Sequence, residues 1–189
     1  MYKRQIENGA PRWSPINTQS FEEGGYGSIT FTNYLSDTDD AGNPVAVAGL
    51  SLSLLGISDE TLVEANLNGH SLSVVSLDDD QYGIVDITVR ASDGVKYSDT
   101  VVTFHVLNVN DAPNIDLTDI EEITLQTGDV VNMQLSDRIT DVDNSDDEIW
   151  TVVSNEVPGS TQWNQITGVL VMSWQEPGSQ TVSVTSEDR

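Results

Sequence analysis

An all-β chain of two tandem Greek-key sandwiches is predicted by three features of this sequence. Apolar and polar residues alternate along several short runs. Clusters of Gly, Asp, Asn and Ser separate those runs. The same landmarks then occur twice, in the same order. Alternation with a period of two puts every second side chain on one face of a sheet, as in a half-buried strand. Short strands of this kind between turn signals build sandwiches.

Taken in order, Ile29 and Phe31 belong to an early strand, and Leu50, Leu52 and Leu54 mark the next. Asp59 to Asn66 is the one stretch that reads as a short helix. Val85, Ile87, Val89 and Ala91 share one face, with Asp86, Thr88 and Arg90 on the other. Ser92-Asp93-Gly94 then turns the chain into Val102, Phe104 and Val106, which alternate again. Near the end Val182 and Val184 alternate with Ser183 and Thr185.

The repeat is visible in three landmarks. Asn8-Gly9-Ala10-Pro11 recurs as Asn110-Asp111-Ala112-Pro113, with the prolines 113 − 11 = 102 residues apart. Leu35-Ser36-Asp37-Thr38-Asp39 recurs as Ile139-Thr140-Asp141-Val142-Asp143, and Val89-Arg90-Ala91-Ser92-Asp93 as Val184-Thr185-Ser186-Glu187-Asp188. Three landmarks in one order indicate two copies of one module. The expected domains are 12–110 and 111–189, the second without the strand that Thr100 to Val109 gives the first. That second module is expected to be the less stable, with an unpaired edge open to association. Residues 1–11 are a linker behind Met1-Tyr2-Lys3-Arg4-Gln5, which reads like a translated sequencing-library adapter and is set aside.

Composition narrows the function. The 189 residues carry 31 Asp and Glu against 7 Lys and Arg, a net charge of −24. So acidic a chain repels nucleic acid and anionic lipid. Leu, Ile, Val and Phe make up about 27% of it, above the under-20% signature of disordered chains. No cysteine is present, so disulfides, thiolate metal sites and cysteine nucleophiles are excluded. No apolar run reaches the length of a membrane span.

The acids gather at strand ends and at the module junction. Asp37, Asp39 and Asp93 of the first module are matched by Asp141, Asp143 and Asp188 of the second. Asn108-Val109-Asn110-Asp111-Ala112-Pro113 joins the modules, Asp78-Asp79-Asp80 follows a strand ending at Leu77, and Glu22-Glu23 precedes Gly24. Glu23, Asp78, Asp80, Asp111, Asp141, Asp143 and Asp188 would bring seven negative charges to one junction, which two or three divalent ions would balance. A hard cation such as calcium takes six to eight oxygens from carboxylates, amides and backbone carbonyls. The absence of His and Cys from the set disfavours zinc and copper. The competing reading is that Asp and Asn merely form turns on an acidic, soluble surface.

These motifs resemble tandem extracellular cadherin-like repeats, in particular those of large bacterial surface proteins. Asn108 to Pro113 resembles the family's DxNDN-Ala-Pro linker, with Asn108 where Asp is usual and Ala112 where Asn is frequent. Glu23 is similar to its early glutamate, Asp78 and Asp80 to its DxE motif, Asp141 and Asp143 to its DxD, and Asp188 to its late aspartate. Thr167-Gly168-Val169-Leu170 with Pro177-Gly178 also looks like bacterial Ig-like relatives. The resemblance implies Ca2+ held between consecutive domains by Glu23, Asp78, Asp80, Asn108, Asn110, Asp111, Asp141, Asp143 and Asp188. At the N-terminal end Asp37, Asp39 and Asp93 would form an incomplete site, because Gly9 stands where the linker aspartate would be.

The function expected on these grounds is a non-enzymatic, calcium-rigidified spacer or adhesive segment of a secreted or cell-surface protein. Its expected partners are other repeats of the same parent chain and a cell-surface protein or glycan, with no nucleic acid and no direct membrane insertion. The alternative is an accessory carbohydrate-binding module of a secreted polysaccharide-degrading enzyme, with Trp13, Trp150, Trp163 and Trp174 as a stacking platform; core or edge packing is the competing role for those rings. A glycosidase pair would need carboxylates in a cleft, whereas these fall at domain ends. His70 and His105 have no nucleophile partner in the sequence, and Glu23-Gly24-Gly25-Tyr26-Gly27 lacks the lysine of a phosphate loop.

Overall fold

The computed structural model describes residues 9–39, 41–120, 123–124, 126–155, 160–176 and 178–188. The adapter-like opening, Asn8 and Pro177 lie outside them. The chain is all-β and divides into two compact units, residues 1–109 and 110–189.

Unit 1 contains β1 (Arg12–Trp13), β2 (Gln19–Glu22), β3 (Tyr26–Thr30), β4 (Leu35–Ser36), β5 (Ser51–Ile57), β6 (Val63–Asn68), β7 (Ser71–Ser76), β8 (Gly83–Ser92) and β9 (Tyr97–Leu107). One sheet has the order β2-β9-β8-β5 and another β3-β7-β6, while β1 pairs β4. All pairs are antiparallel except β2 with β9. The inward residues are those the alternation singled out: Val85, Ile87, Val89 and Ala91 on β8, and Val102, Phe104 and Val106 on β9, are fully buried. They meet Leu72 and Val74 of β7 and Phe31 in one core. Two apolar faces closing on each other make a sandwich. Trp13 packs edge-on to Phe31 at 5.4 Å, and Phe21 to Phe104 at 6.1 Å. Gly27 leaves room for that second pair, since a Cβ there would lie 2.7 Å from the Phe21 ring.

Two local expectations are corrected. Asp59 to Asn66 is not a helix: residues 60–62 turn, and β6 starts at Val63. Asp59 Oδ1 takes the backbone N–H groups of Thr61 and Leu62 and the Thr61 hydroxyl, which offers the chain a turn in place of the first helical bonds. Val63 is then buried, with Ala65 and Leu67 half-buried on the same face. Phe31 is also not in a strand; it opens a short 3-10 turn and drops fully into the core.

Unit 2 repeats the plan with β10 (Asn114–Ile115), β11 (Val130–Gln134), β12 (Ile139–Thr140), β13 (Ile149–Asn155), β14 (Thr161–Asn164), β15 (Val169–Ser173) and β16 (Val182–Asp188). β10 pairs β12 as β1 pairs β4, β11-β15-β14 matches β3-β7-β6, and β13 pairs β16 as β5 pairs β8. Among the described residues no strand stands beside β16 as β9 stands beside β8. Its core is correspondingly thin. Leu135, Ile139, Ile149, Leu170 and Met172 are buried, with Trp163, Trp174, Val182 and Val184 only half-buried around them.

The β14–β15 turn is locked onto this core by one glycine. Gly168 has φ +65°, and its carbonyl accepts the backbone N–H groups of Leu135 and Ser136 at 2.8 and 3.2 Å. A Cβ would lie 2.2 Å from Ser136 Oγ. Gly168→Ala therefore combines a left-handed backbone cost with a clash. It should destabilise unit 2 by about 2–4 kcal/mol. Denaturant titration should show an earlier transition for unit 2 and an unchanged one for unit 1.

Candidate metal centres

The predicted ligand residues fall in three places, each within one unit; Asp37, Asp39 and Asp93, in the third, hydrogen-bond within their own loops. In unit 1, β2 runs parallel to β9 and carries Glu23 past the sheet edge, where its backbone N–H donates to Leu107 O at 2.9 Å. Its side chain is buried, and Oε1 accepts the Val109 N–H at 2.5 Å. Oε2 is buried without a hydrogen-bond partner. Gly24 lies against Asp79, a Cβ on it being 3.2 Å from the Asp79 Cβ, so this turn adjoins the loop after β7. In that loop the carboxylates of Asp78, Asp79 and Asp80 can bring one oxygen each within 4.8 Å of one another. Asp78 Oδ1 accepts the Asp80 N–H at 3.1 Å, while the Asp78 carbonyl accepts the Ser76 hydroxyl. Asn108 is exposed between Leu107 and Val109.

The second group is the tightest. Asp111 N–H donates to Asp143 Oδ2 at 2.7 Å, and Asp143 N–H to Asp141 Oδ1 at 2.8 Å. The Asn110 amide donates to Asp188 Oδ2 at 2.6 Å. Asn110, Asp111, Asp141, Asp143 and Asp188 are thus brought together. Asn144 was missed. Its backbone N–H and its amide both donate to Asp141 Oδ1, and the amide also reaches Asn110 Oδ1 at 3.1 Å. The signal was there in Asp141-Val142-Asp143-Asn144, whose last residue is another oxygen-bearing amide.

The Asp188 carboxyl lies within hydrogen-bonding reach of Asp141, yet Asp141 Oδ2 and Asp188 Oδ1 are both buried without a partner. Burial pushes the Asp141 carboxyl up. The N–H groups of Asp143 and Asn144, the Asn144 amide and the contact with Asp188 outweigh it and leave the carboxyl below its ordinary value of 3.8.

The third group lies at the opposite strand ends of unit 1. Asp37 is buried; its Oδ1 accepts the Thr38 N–H at 2.7 Å, and its Oδ2 has no partner. Asp39 instead holds its own loop. The Asn43 amide and backbone are the main donors that lower its pKa, and Oδ1 also takes the Ala41 N–H. Asp93 Oδ1 caps the β8–β9 turn by accepting from Val95 and Lys96.

Among the described residues, four carboxylate oxygens are therefore buried and unpartnered, on Glu23, Asp37, Asp141 and Asp188. A buried unsatisfied carboxylate costs far more than a neutral polar group. A hard cation is the partner that oxygen-only donors of this kind fit. The tryptophans are arranged differently from a stacking platform: Trp13, Trp163 and Trp174 pack against the cores, and Trp150 alone is exposed, at 40%.

No family model matches the chain, and no curated protein matches it. Solved structures do. The chain aligns with the EC1-2 fragment of human protocadherin-24 at 13% identity, covering 95% of this chain and 86% of that one with a TM-score of 0.55. It aligns with the human desmocollin-1 ectodomain at 17% identity and a TM-score of 0.49, covering 99% of this chain but only 35% of that ectodomain. An endo-fucoidan hydrolase of glycoside hydrolase family 107 aligns at 14% identity and a TM-score of 0.42, over 28% of its length. The likeness to protocadherin-24 shows the fold: the chain is built of cadherin-like β-sandwich repeats.

Two outcomes follow from the second group. In chelator near neutral pH, Asp188→Asn should stabilise unit 2 by about 1 kcal/mol, because an amide donates to Asp141 Oδ2 at every pH, whereas the Asp188 carboxyl donates only when protonated. Thermal melting would read this, and a lower transition would contradict it. Acid should act in the opposite sense. Because the Asp141 carboxyl is lowered in the folded state, its stabilising contribution is present above 3.8 and is lost as pH falls through that lowered value. Urea titrations in chelator should show unit 2 weakening there, and Asp141→Asn should flatten the dependence.

Proposed function

We propose that this chain is a calcium-rigidified spacer or adhesive segment of a secreted or cell-surface protein. The observation that carries the reading is the set of buried, unpartnered carboxylate oxygens on Glu23, Asp141 and Asp188, in residues that match the linker-site pattern. Glu23, Asp78, Asp80 and Asn108 would hold calcium from the unit 1 side, and Asn110, Asp111, Asp141, Asp143 and Asp188 from the unit 2 side. Glu23 grips Val109 within unit 1, and Asp188 grips Asn110 within unit 2. Bound calcium would supply the positive charge that these oxygens lack. The protein's own part is to present them: strand ends fix Glu23 and Asp188, and the hydrogen bonds among Asp111, Asp143, Asn144 and Asp141 pre-set the second loop. Asp37, with Asp39 and Asp93, would offer a partial site at the other end, supported by the unpartnered Asp37 Oδ2.

The role is structural and non-enzymatic on this reading, with other repeats of the parent chain and a cell-surface protein or glycan as partners. Extracellular calcium modules bind at about 10⁻⁴ to 10⁻³ M, which suits an extracellular or cell-surface setting. The carbohydrate-module alternative is not favoured, because three of its four tryptophans pack on the cores.

Calcium at a hundredfold excess over its dissociation constant should add about 2.7 kcal/mol per site. Asp141→Ala should remove most of that gain and leave both sandwiches folded. Titration calorimetry tests the binding. Small-angle scattering with and without chelator tests whether calcium fixes the angle between the units. Absence of binding heat below about 10 mM calcium, tenfold above the usual extracellular range, would sink the reading.

A further inference from the structure

Apart from the acidic groups, unit 2 contains a cleft of about 480 Å³, lined among others by Trp150, Trp163, Ile166, Asp146 and Asp147. That volume falls within the range of small-molecule sites. A single amide braces its wall. Gln165 Oε1 accepts the Trp163 indole N–H and the Thr151 backbone N–H, each at 3.1 Å. Its Nε2 donates to the Ile149 carbonyl at 2.8 Å. Gln165 so ties β13 to the β14–β15 turn, which the Gly168 carbonyl fixes to Leu135 and Ser136.

Two apolar side chains remain at the surface of this braced wall. Ile166 is 97% exposed and Trp150 is 40% exposed. The same lining includes Asp146 and Asp147, exposed on the turn before β13, with Asp147 accepting the Ser145 hydroxyl at 2.8 Å. No Lys or Arg is among the residues lining the cleft. Arg138, the described cation nearest in sequence, is engaged by Asp119. β16 pairs β13 along the edge away from the cleft. A strand added beside β16, as β9 is added beside β8, would therefore leave the cleft open.

We propose that this cleft binds an amphiphilic organic cation, an alkyl- or arylammonium or a guanidinium. Its apolar body lies against Trp150, Trp163 and Ile166, and its charge is met by Asp146 and Asp147. Indole walls favour such a cation through their ring electrons as well as through area. The carboxylates attract it and repel anionic ligands such as sulfated sugars. A neutral sugar could use the indoles but would gain nothing from the net charge of the acidic lip. The proposal is independent of the calcium reading, since none of these residues belongs to the calcium set.

The test is a titration of the full chain, in chelator and at low salt, with phenethylammonium and with phenethyl alcohol as its uncharged counterpart. Binding is read from the indole N–H and Ile166 methyl resonances. Saturable shifts at Trp150, Trp163 and Ile166 are expected, with the alcohol bound at least about tenfold more weakly, a difference of about 1.4 kcal/mol. The double variant Asp146→Asn/Asp147→Asn should bring the cation down to the alcohol's affinity, and Ile166→Lys should weaken it by placing a competing charge on the rim. N-acetylarginine amide forms a further arm. Tighter binding than phenethylammonium identifies a peptide side chain as the source, and weaker binding a free amine. Equal affinity for the charged and uncharged probes, indifference to both variants, or tighter binding of cellobiose than of either cation would overturn the proposal.

Discussion

The constraint on which the rest depends is electrostatic: carboxylates fixed at strand ends, partly out of water, with few cations to meet them. Seven Lys and Arg cannot balance 31 acids. The described ion pairs, Arg90 with Asp99 and Arg138 with Asp119, involve none of the buried groups. Most acids solve the problem by staying exposed. Glu23, Asp37, Asp141 and Asp188 do not; each keeps one oxygen in a hydrogen bond or charge contact and one oxygen dry. The sandwich enforces this, because a residue that continues an inward-facing strand row has nowhere to turn. Glu23 follows Phe21 by two and inherits its inward face, and Asp37 likewise follows Leu35. Period-2 geometry thus buries the acids that the charge balance would expose.

The same geometry explains what could be read in the sequence. β8 and β9 were legible because long alternating runs have one face fully buried, so each residue reports its side. The landmark acids themselves stood out because the repeat supplied a second copy of each. Legibility failed where side chains competed with the period. Asp59 folded its own turn by capturing Thr61 and Leu62, which hid the start of β6 behind a helix-like run. Asn144 escaped because its role depends on an amide reaching across to Asn110, 34 positions away, which no local pattern encodes. The β5 edge also shifts register between Leu54 and Gly56, and Leu55 is left exposed as an extra residue that the leucine run disguises.

The tryptophans illustrate how composition underdetermines use. Four indoles in an acidic chain could have formed a flat platform, yet burial sorts them individually. Trp13 closes the end of the unit 1 core against Phe31, and Trp174 and Trp163 enlarge the thin core of unit 2. Trp163 can be both packed and cleft-lining because Gln165 satisfies its indole N–H internally. Once the polar tip is paired, the rest of the ring is free to serve as an apolar wall.

The two units differ in how much of their order a core can supply. In unit 1 both sheets contribute fully buried residues, and sandwich packing alone accounts for its definition. In unit 2 the valines of β13 and β16 are half-buried or exposed, so less apolar area is removed from water per residue. Order at its acidic end comes instead from the chain of hydrogen bonds through Asp111, Asp143, Asp141, Asn144 and Asn110 to Asp188. Such a network is rigid when every member is satisfied and costly when one is not. The two dry oxygens on Asp141 and Asp188 are its unsatisfied members. A ligand that binds only the folded arrangement adds its binding free energy to folding. A cation held by those oxygens would count for most where the core contributes least, in unit 2.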